Sequence, residues 1–71
     1  MIVSDLPRIS LAAVRVNAKM NQKEWAEYIG VDLSTVSNWE KGKTEPSATQ
    51  LRKMSEISKI PMDFIFVPEQ S

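Results

Sequence analysis

Two short amphipathic segments separated by a glycine constrain this chain more than any other feature. They lie between residues 22 and 41, in the stretch QKEWAEYIGVDLSTVSNWEK. Apolar residues recur at helical spacing in both segments, which gives each predicted helix one narrow apolar face. Gly30 lies where the chain must turn, and glycine adopts a left-handed backbone conformation without steric cost. The stretch therefore predicts two helices packed against each other across a tight turn.

Polar residues at the start of each segment support the same boundaries. Asn21 is suited to cap the first helix, and Glu24, three residues later, completes a capping box. Asp32 is the expected cap of the second helix. A helix pair of this kind is a candidate helix-turn-helix, whose second helix enters a DNA major groove.

Finer features of the stretch narrow the interpretation. Its fifth residue, Ala26, is small enough for two helix axes to approach closely, and its ninth residue is Gly30. Its fourth, eighth, fifteenth and eighteenth residues are apolar: Trp25, Ile29, Val36 and Trp39. Outside the stretch lie Arg15, the run Glu40-Lys41-Gly42-Lys43, and Pro46-Ser47. This combination resembles the Cro/repressor-type helix-turn-helix family, the XRE-like or lambda-repressor-like class, over residues 8 to 66.

The whole sequence is interpreted as a single all-α domain, 1–71, a compact five-helix lambda-repressor-like fold. Apolar spacing, prolines in first turns and a second capping box at Ser47 and Gln50 set the helix boundaries. The predicted helices span about residues 7–18, 22–29, 33–40, 48–58 and 61–66.

Composition argues against catalysis and metal binding. The 71 residues include neither cysteine nor histidine, so thiolate ligands, imidazole ligands and the commonest general base are lacking. Two glycines do not make a phosphate-cradling loop. We therefore expect no enzyme activity, no cofactor, no metal and no small-molecule ligand. No apolar run approaches the ~20 residues of a membrane span, so no membrane association and a cytoplasmic location are expected.

The charge balance limits how the chain binds nucleic acid. Nine basic residues offset nine acidic ones, which counts against binding held by bulk electrostatics. Lysines 19, 23, 41 and 43 nevertheless flank the helix pair at its two ends. We expect one modestly basic face and weak non-specific binding.

The resemblance implies a DNA site on the helix pair. Bases would be read by the outward positions of the second helix of the pair, Leu33, Ser34, Thr35, Ser37 and Asn38. Asn38 has the most specific chemistry, because its amide can form a bidentate pair with adenine. Phosphates would be contacted by Gln22, Lys23, Lys41 and Lys43. The alternative for each of these side chains is an ordinary solvated helix surface.

Two further groups of residues have structural or interaction roles. In the resembled family an arginine at the position of Arg15 pairs with a glutamate at that of Glu40; the alternative is a solvated arginine. The apolar C-terminal stretch exceeds what one short helix can bury, so Met62, Phe66 and Val67 are expected to form an exposed patch for a second chain. Alternatively, all of them lie in the core.

These observations predict a Cro-like repressor that binds a double-stranded DNA operator, of the kind encoded by phages or mobile elements. The second helix of the pair lacks arginine, lysine and glutamine, and Glu45 lies near the expected phosphate side, so affinity per subunit should be low. Tight binding would then need a homodimer or a heteromeric partner. The alternative is a protein-interaction module of the same fold that binds another regulator or a toxin.

Overall fold

The computed structural model of the chain describes residues 8–67. These residues contain four α-helices, one 3₁₀ turn and two very short strands. The helices are α1 (Leu11–Asn17), α2 (Gln22–Ile29), α3 (Leu33–Glu40) and α4 (Ala48–Ser58). The 3₁₀ turn is Met62–Phe64, and the strands are β1 (Ile9–Ser10) and β2 (Ile65–Phe66). The predicted second, third and fourth helices therefore have the expected boundaries.

Two of the three predicted caps form as expected. The Asn21 side chain accepts the Glu24 N–H at 2.8 Å, and the Glu24 carboxylate accepts the Asn21 N–H at 3.0 Å. Ser47 and Gln50 form the equivalent reciprocal pair at the start of α4. Asp32 has the extended backbone of an N-cap, but its side chain makes no capping hydrogen bond. The prediction for Asp32 was thus correct in position and wrong in mechanism.

Gly30 makes the turn between α2 and α3 in the left-handed conformation, with φ 91° and ψ 36°. Its N–H donates to the Ala26 carbonyl at 2.8 Å, which closes α2. A Cβ atom at Gly30 would meet no atom of residues 8–67 within 4 Å. Backbone conformation, rather than space, therefore requires glycine at this position.

The first helix begins later than predicted, at Leu11 rather than near residue 7. Ser10 caps it by accepting the Ala13 N–H at 3.1 Å, and the preceding residues are extended. Ile9 and Ser10 form β1, which pairs in parallel with β2 so that Ile9 lies opposite Ile65. Residue 7 lies outside the described part of the chain.

The fifth predicted helix, 61–66, is not an α-helix. One 3₁₀ turn forms, with the Phe64 N–H donating to the Pro61 carbonyl at 2.9 Å, and the chain then becomes extended. Pairing with β1 and burial of Ile65 in the core favour the extended form over another helical turn. The five-helix count is therefore replaced by four helices in the described residues.

One hydrophobic core joins all four helices and β2. Its buried members are Leu11, Val14, Trp25, Ala26, Ile29, Val36, Trp39, Met54 and Ile65. The helix pair supplies five of these nine side chains, including both tryptophans. The relative position of α2 and α3 is thus fixed by the same packing that stabilises the fold. None of the helices in residues 8–67 combines the length and the hydropathy that a membrane span needs.

Candidate nucleic-acid interface

The two faces of α3 have opposite environments. Val36 and Trp39 on the inner face are buried in the core. On the outer face Leu33 is 51% exposed, Ser34 is exposed, and Thr35, Ser37 and Asn38 are half-buried. A rigid inner face therefore holds a polar outer face in a fixed orientation.

Chemically, the outer face of α3 is available for hydrogen bonding. Within residues 8–67, no side chain among the five predicted base-reading residues is hydrogen-bonded to the protein. All five side chains are uncharged, and four of them carry a hydroxyl or an amide. Hydroxyl and amide groups can both donate to and accept from base edges. The face can hydrogen-bond base edges without first breaking an internal contact.

Arg15 and Glu40 form an ion pair between α1 and the end of α3. The Arg15 Nε donates to Glu40 Oε2 at 2.8 Å, and the side chains are only 16% and 10% exposed. The Arg15 Nη1 also donates to the Met20 carbonyl at 2.9 Å. The pair therefore joins α1, the α1–α2 connection and α3.

Gln22 takes part in the same network. Its Nε2 donates to Glu40 Oε1 at 2.9 Å, so its side-chain amide is already bonded inside the protein. Its backbone N–H lies at the first position of α2, where helices leave their amides without an internal partner. A phosphate contact by Gln22 would therefore use the backbone N–H and the positive helix end. Sequence reasoning missed the bond to Glu40, since nothing in the spacing of residues 22 and 40 indicates it.

The three predicted phosphate-binding lysines, Lys23, Lys41 and Lys43, are all exposed. Lys23 lies in the first turn of α2, and Lys41 is the C-cap of α3. The Lys43 N–H donates back to the Asn38 carbonyl at 2.9 Å, which ends α3 firmly. Exposed cationic side chains thus lie at the start of α2 and just after α3, and Glu45, also exposed, follows two residues after Lys43.

The apolar C-terminal stretch is divided between surface and core. Met62 and Phe66 are 38% and 39% exposed, whereas Val67 is half-buried and packs against the core. The Arg8 guanidinium lies 5.3 Å from the centre of the Phe66 ring, within cation–π range. Two of the three residues of the predicted patch, Met62 and Phe66, are therefore exposed, and Val67 is half-buried.

Ionisable groups in the described residues form no site suited to metal chemistry. No group of three or more acidic side chains there could hold a metal ion. Every buried side-chain nitrogen and oxygen in that part of the chain has a hydrogen-bond partner.

Two short helices that meet at a left-handed glycine, the second with a free polar face, define the helix-turn-helix class of protein. A helix-turn-helix family model matches residues 11–65, and the chain belongs to this family, in its XRE-like class. An uncharacterised HTH-type transcriptional regulator from Haemophilus influenzae is 36% identical over 42 residues. That match covers 59% of this chain and 18% of the relative, so the chain spans only a small part of that protein. No solved structure matches the chain significantly.

Proposed function

We propose that the chain is a sequence-specific DNA-binding transcriptional regulator, a Cro-like repressor that places α3 in the major groove of an operator. The observation that carries this proposal is the outer face of α3. Its side chains are uncharged, exposed or half-buried, and without hydrogen bonds to other groups of residues 8–67, and they lie on a helix whose other face is buried. Membership of the helix-turn-helix family supports the same function.

Base reading on this proposal depends on a few short side chains. Asn38 pairs with adenine through two hydrogen bonds, which discriminates against other bases by about 1–3 kcal/mol. Ser34 and Ser37 add less specific hydrogen bonds. Leu33 and the Thr35 methyl group contact thymine methyl groups, and DNA binding would then cover the strongly exposed leucine.

Phosphate contacts would orient α3 in the groove. The Gln22 backbone N–H meets one phosphate at the positive end of α2, and Lys23, Lys41 and Lys43 meet others. The formal net charge of zero adds no general attraction, so a single subunit would bind non-specific DNA with micromolar or weaker affinity. We propose a dimer on a palindromic operator as the means to higher affinity.

The proposed function has consequences for the location, the genetic origin and the cofactor needs of the protein. A repressor of this type acts where its DNA is, in the bacterial cytoplasm, and small switch proteins of phages and mobile elements fit the same description. It needs neither a cofactor nor catalysis, and the family to which the chain belongs is typically non-enzymatic.

A second candidate is a protein-interaction module of the same fold that binds another regulator or a toxin. The exposed side chains of Met62 and Phe66 favour it, since a protein partner can bury apolar side chains that the fold leaves at the surface. The zero net charge also favours this candidate. On this alternative DNA binding would be weak or shared with the partner.

Selection of duplexes from a randomised library by the purified protein tests the proposal. The wild-type protein should enrich one sequence, and Asn38→Ala should lose base preference at one position by about 1–3 kcal/mol. Glu27→Ala, which removes an exposed side chain on α2, is the control and should keep the wild-type preference. If no sequence is enriched, the interaction module becomes the better account. If Asn38→Ala selects the wild-type sequence unchanged, Asn38 does not read a base.

A further inference from the structure

The helices α2 and α3 are joined to each other at both ends. At one end, residues 30–32 connect Ile29, the last residue of α2, to Leu33, the first residue of α3. At the other end, the side chain of Gln22, the first residue of α2, donates to the side chain of Glu40, the last residue of α3, at 2.9 Å. The two helices, each about 12 Å long, therefore form a closed triangle with this hydrogen bond at one corner.

The hydrogen-bonded corner restrains the angle between α2 and α3. Inside the triangle, Trp25 and Val36 are buried in the core, but hydrophobic contacts have no preferred direction. A hydrogen bond to a carboxylate, by contrast, has a preferred length and a preferred angle. Gln22 and Glu40 are both half-buried, so water competes weakly for this bond. Loss of the bond should therefore loosen the angle more than it unfolds the domain.

The negative charge of Glu40 is offset where it lies close to the proposed phosphate contact. The Gln22 backbone N–H at the start of α2 is that contact, and a carboxylate one hydrogen bond from the same residue would by itself repel an anion. The Arg15 Nε lies 2.8 Å from Glu40 and supplies the opposite charge. Arg15 also donates to the Met20 carbonyl, two residues before α2. The network thus holds α2 against α3 without a net negative charge beside the phosphate.

The side-chain amide of Gln22 is better suited to this bond than to a phosphate. Its oxygen is an acceptor, as phosphate oxygens are, so it cannot bond to a phosphate. Its NH₂ group donates to Glu40, and turning that group toward DNA would break a hydrogen bond to a charged partner, one of the stronger kinds in proteins. The side chain of Gln22 therefore serves the relative position of the two helices.

We infer that Gln22 is a positioning residue for base reading, and that its side chain acts through Glu40 rather than by contact with DNA. The bond fixes the angle between α2 and α3. It thereby fixes the position of the base-reading side chains, Asn38 above all, relative to the phosphate at the start of α2. The inference rests on the proposed DNA-binding function, to which it adds a residue of α2 that determines specificity without touching a base.

The affinities for two duplexes test this inference. The probes are fluorescein-labelled duplexes of about 20 base pairs, one with the sequence that selection by the wild-type protein enriches and one with an arbitrary sequence, both measured by anisotropy. Gln22→Met keeps the backbone N–H and removes the amide, so it should lower the ratio of the two affinities about fivefold, as expected when one base contact is weakened. The control, Lys23→Met, removes a proposed phosphate contact and should weaken binding to both duplexes alike. A ratio for Gln22→Met within about twofold of the wild-type ratio would overturn the inference.

Removal of Glu40 tests whether Gln22 acts through it. In the Arg15→Met/Glu40→Met background, which loses one charge of each sign, Gln22→Met should change the affinity ratio by less than about twofold, because the acceptor is already gone. A further loss of about fivefold there would mean that the amide contacts DNA itself, which overturns the inference and leaves the proposed function intact. All affinities are measured where circular dichroism shows the variants folded, and if this background does not fold, the comparison in the wild-type chain decides. If the wild-type protein enriches no sequence, the inference and the proposed function both fail.

Discussion

The two oxygens of the Glu40 carboxylate accept hydrogen bonds from both Arg15 and Gln22, whereas a glutamine at this position would have one acceptor oxygen. Oε2 accepts from the Arg15 Nε at 2.8 Å, and Oε1 accepts from the Gln22 Nε2 at 2.9 Å and, more distantly, the Arg15 Nη2 at 3.4 Å. Glutamine has one acceptor oxygen and one NH₂ group. In Glu40→Gln, Arg15 therefore loses its charged partner and one acceptor oxygen, and Gln22 can bond the new NH₂ group only by turning its own amide oxygen toward it.

The cost of this substitution follows from the burial of the network. Both charged side chains are less than a fifth exposed, so water replaces the lost bond poorly. Hydrogen bonds to charged groups contribute about 1.5–3 kcal/mol, and a donor left unsatisfied adds to that loss. We expect Glu40→Gln to lower the free energy of unfolding by about 2–3 kcal/mol, out of the roughly 4–11 kcal/mol typical of a domain this size. The melting temperature should fall by about 10–20 °C.

Thermal and urea denaturation measure this loss. Trp25 and Trp39 are buried, so their fluorescence reports loss of the core, while circular dichroism reports the helices. Glu27→Gln, a neutral replacement at an exposed position of α2, should change the unfolding free energy by less than about 0.5 kcal/mol. The double variant Arg15→Met/Glu40→Met should cost at least about 1 kcal/mol less than the sum of its single substitutions. Strict additivity, or a Glu40→Gln protein as stable as wild type, would refute the reasoning.

Three further changes test the fold. Gly30→Ala should cost about 1–2 kcal/mol in unfolding free energy, because the position requires positive φ although a methyl group has space there; a neutral result would mean that the turn can re-form with negative φ. Asn21→Ala should cost about 1 kcal/mol through loss of the α2 cap, and Asn21→Ser should recover most of it if the side-chain oxygen is responsible. Met54→Ala should cost about 2–5 kcal/mol by opening a cavity between the helices, so a loss below 1 kcal/mol would place Met54 outside the core.

Local signals made much of this fold predictable from the sequence. The capping boxes of Asn21 and Ser47 depend on residues three positions apart, and the turn at Gly30 depends on one backbone conformation. Helical spacing then identified the buried faces of α2 and α3, because an amphipathic helix must bury its apolar stripe.

The structure differs from the predictions at features that depend on residues far apart in the sequence. The pairing of Ile9 with Ile65 delays the start of the first helix and replaces the predicted last helix with an extended segment. Strands of two residues are too short to leave a periodic pattern in the sequence. Gln22 was expected to contact DNA through its side chain or its backbone N–H. In the structure its side-chain NH₂ group donates to Glu40 instead. Spacing showed that Gln22 starts a helix, but only tertiary packing shows which acceptor is nearest.

The central claim, that this helix pair binds DNA through the outer face of α3, is tested most directly by a nuclear magnetic resonance titration. ¹⁵N-labelled protein would be titrated with duplex DNA, which requires no knowledge of the operator. We expect amide shifts to change most at residues 22–23 and 33–38, with smaller changes at 41–43. Changes confined to the surface around Met62 and Phe66, or no changes while the protein stays folded, would contradict it.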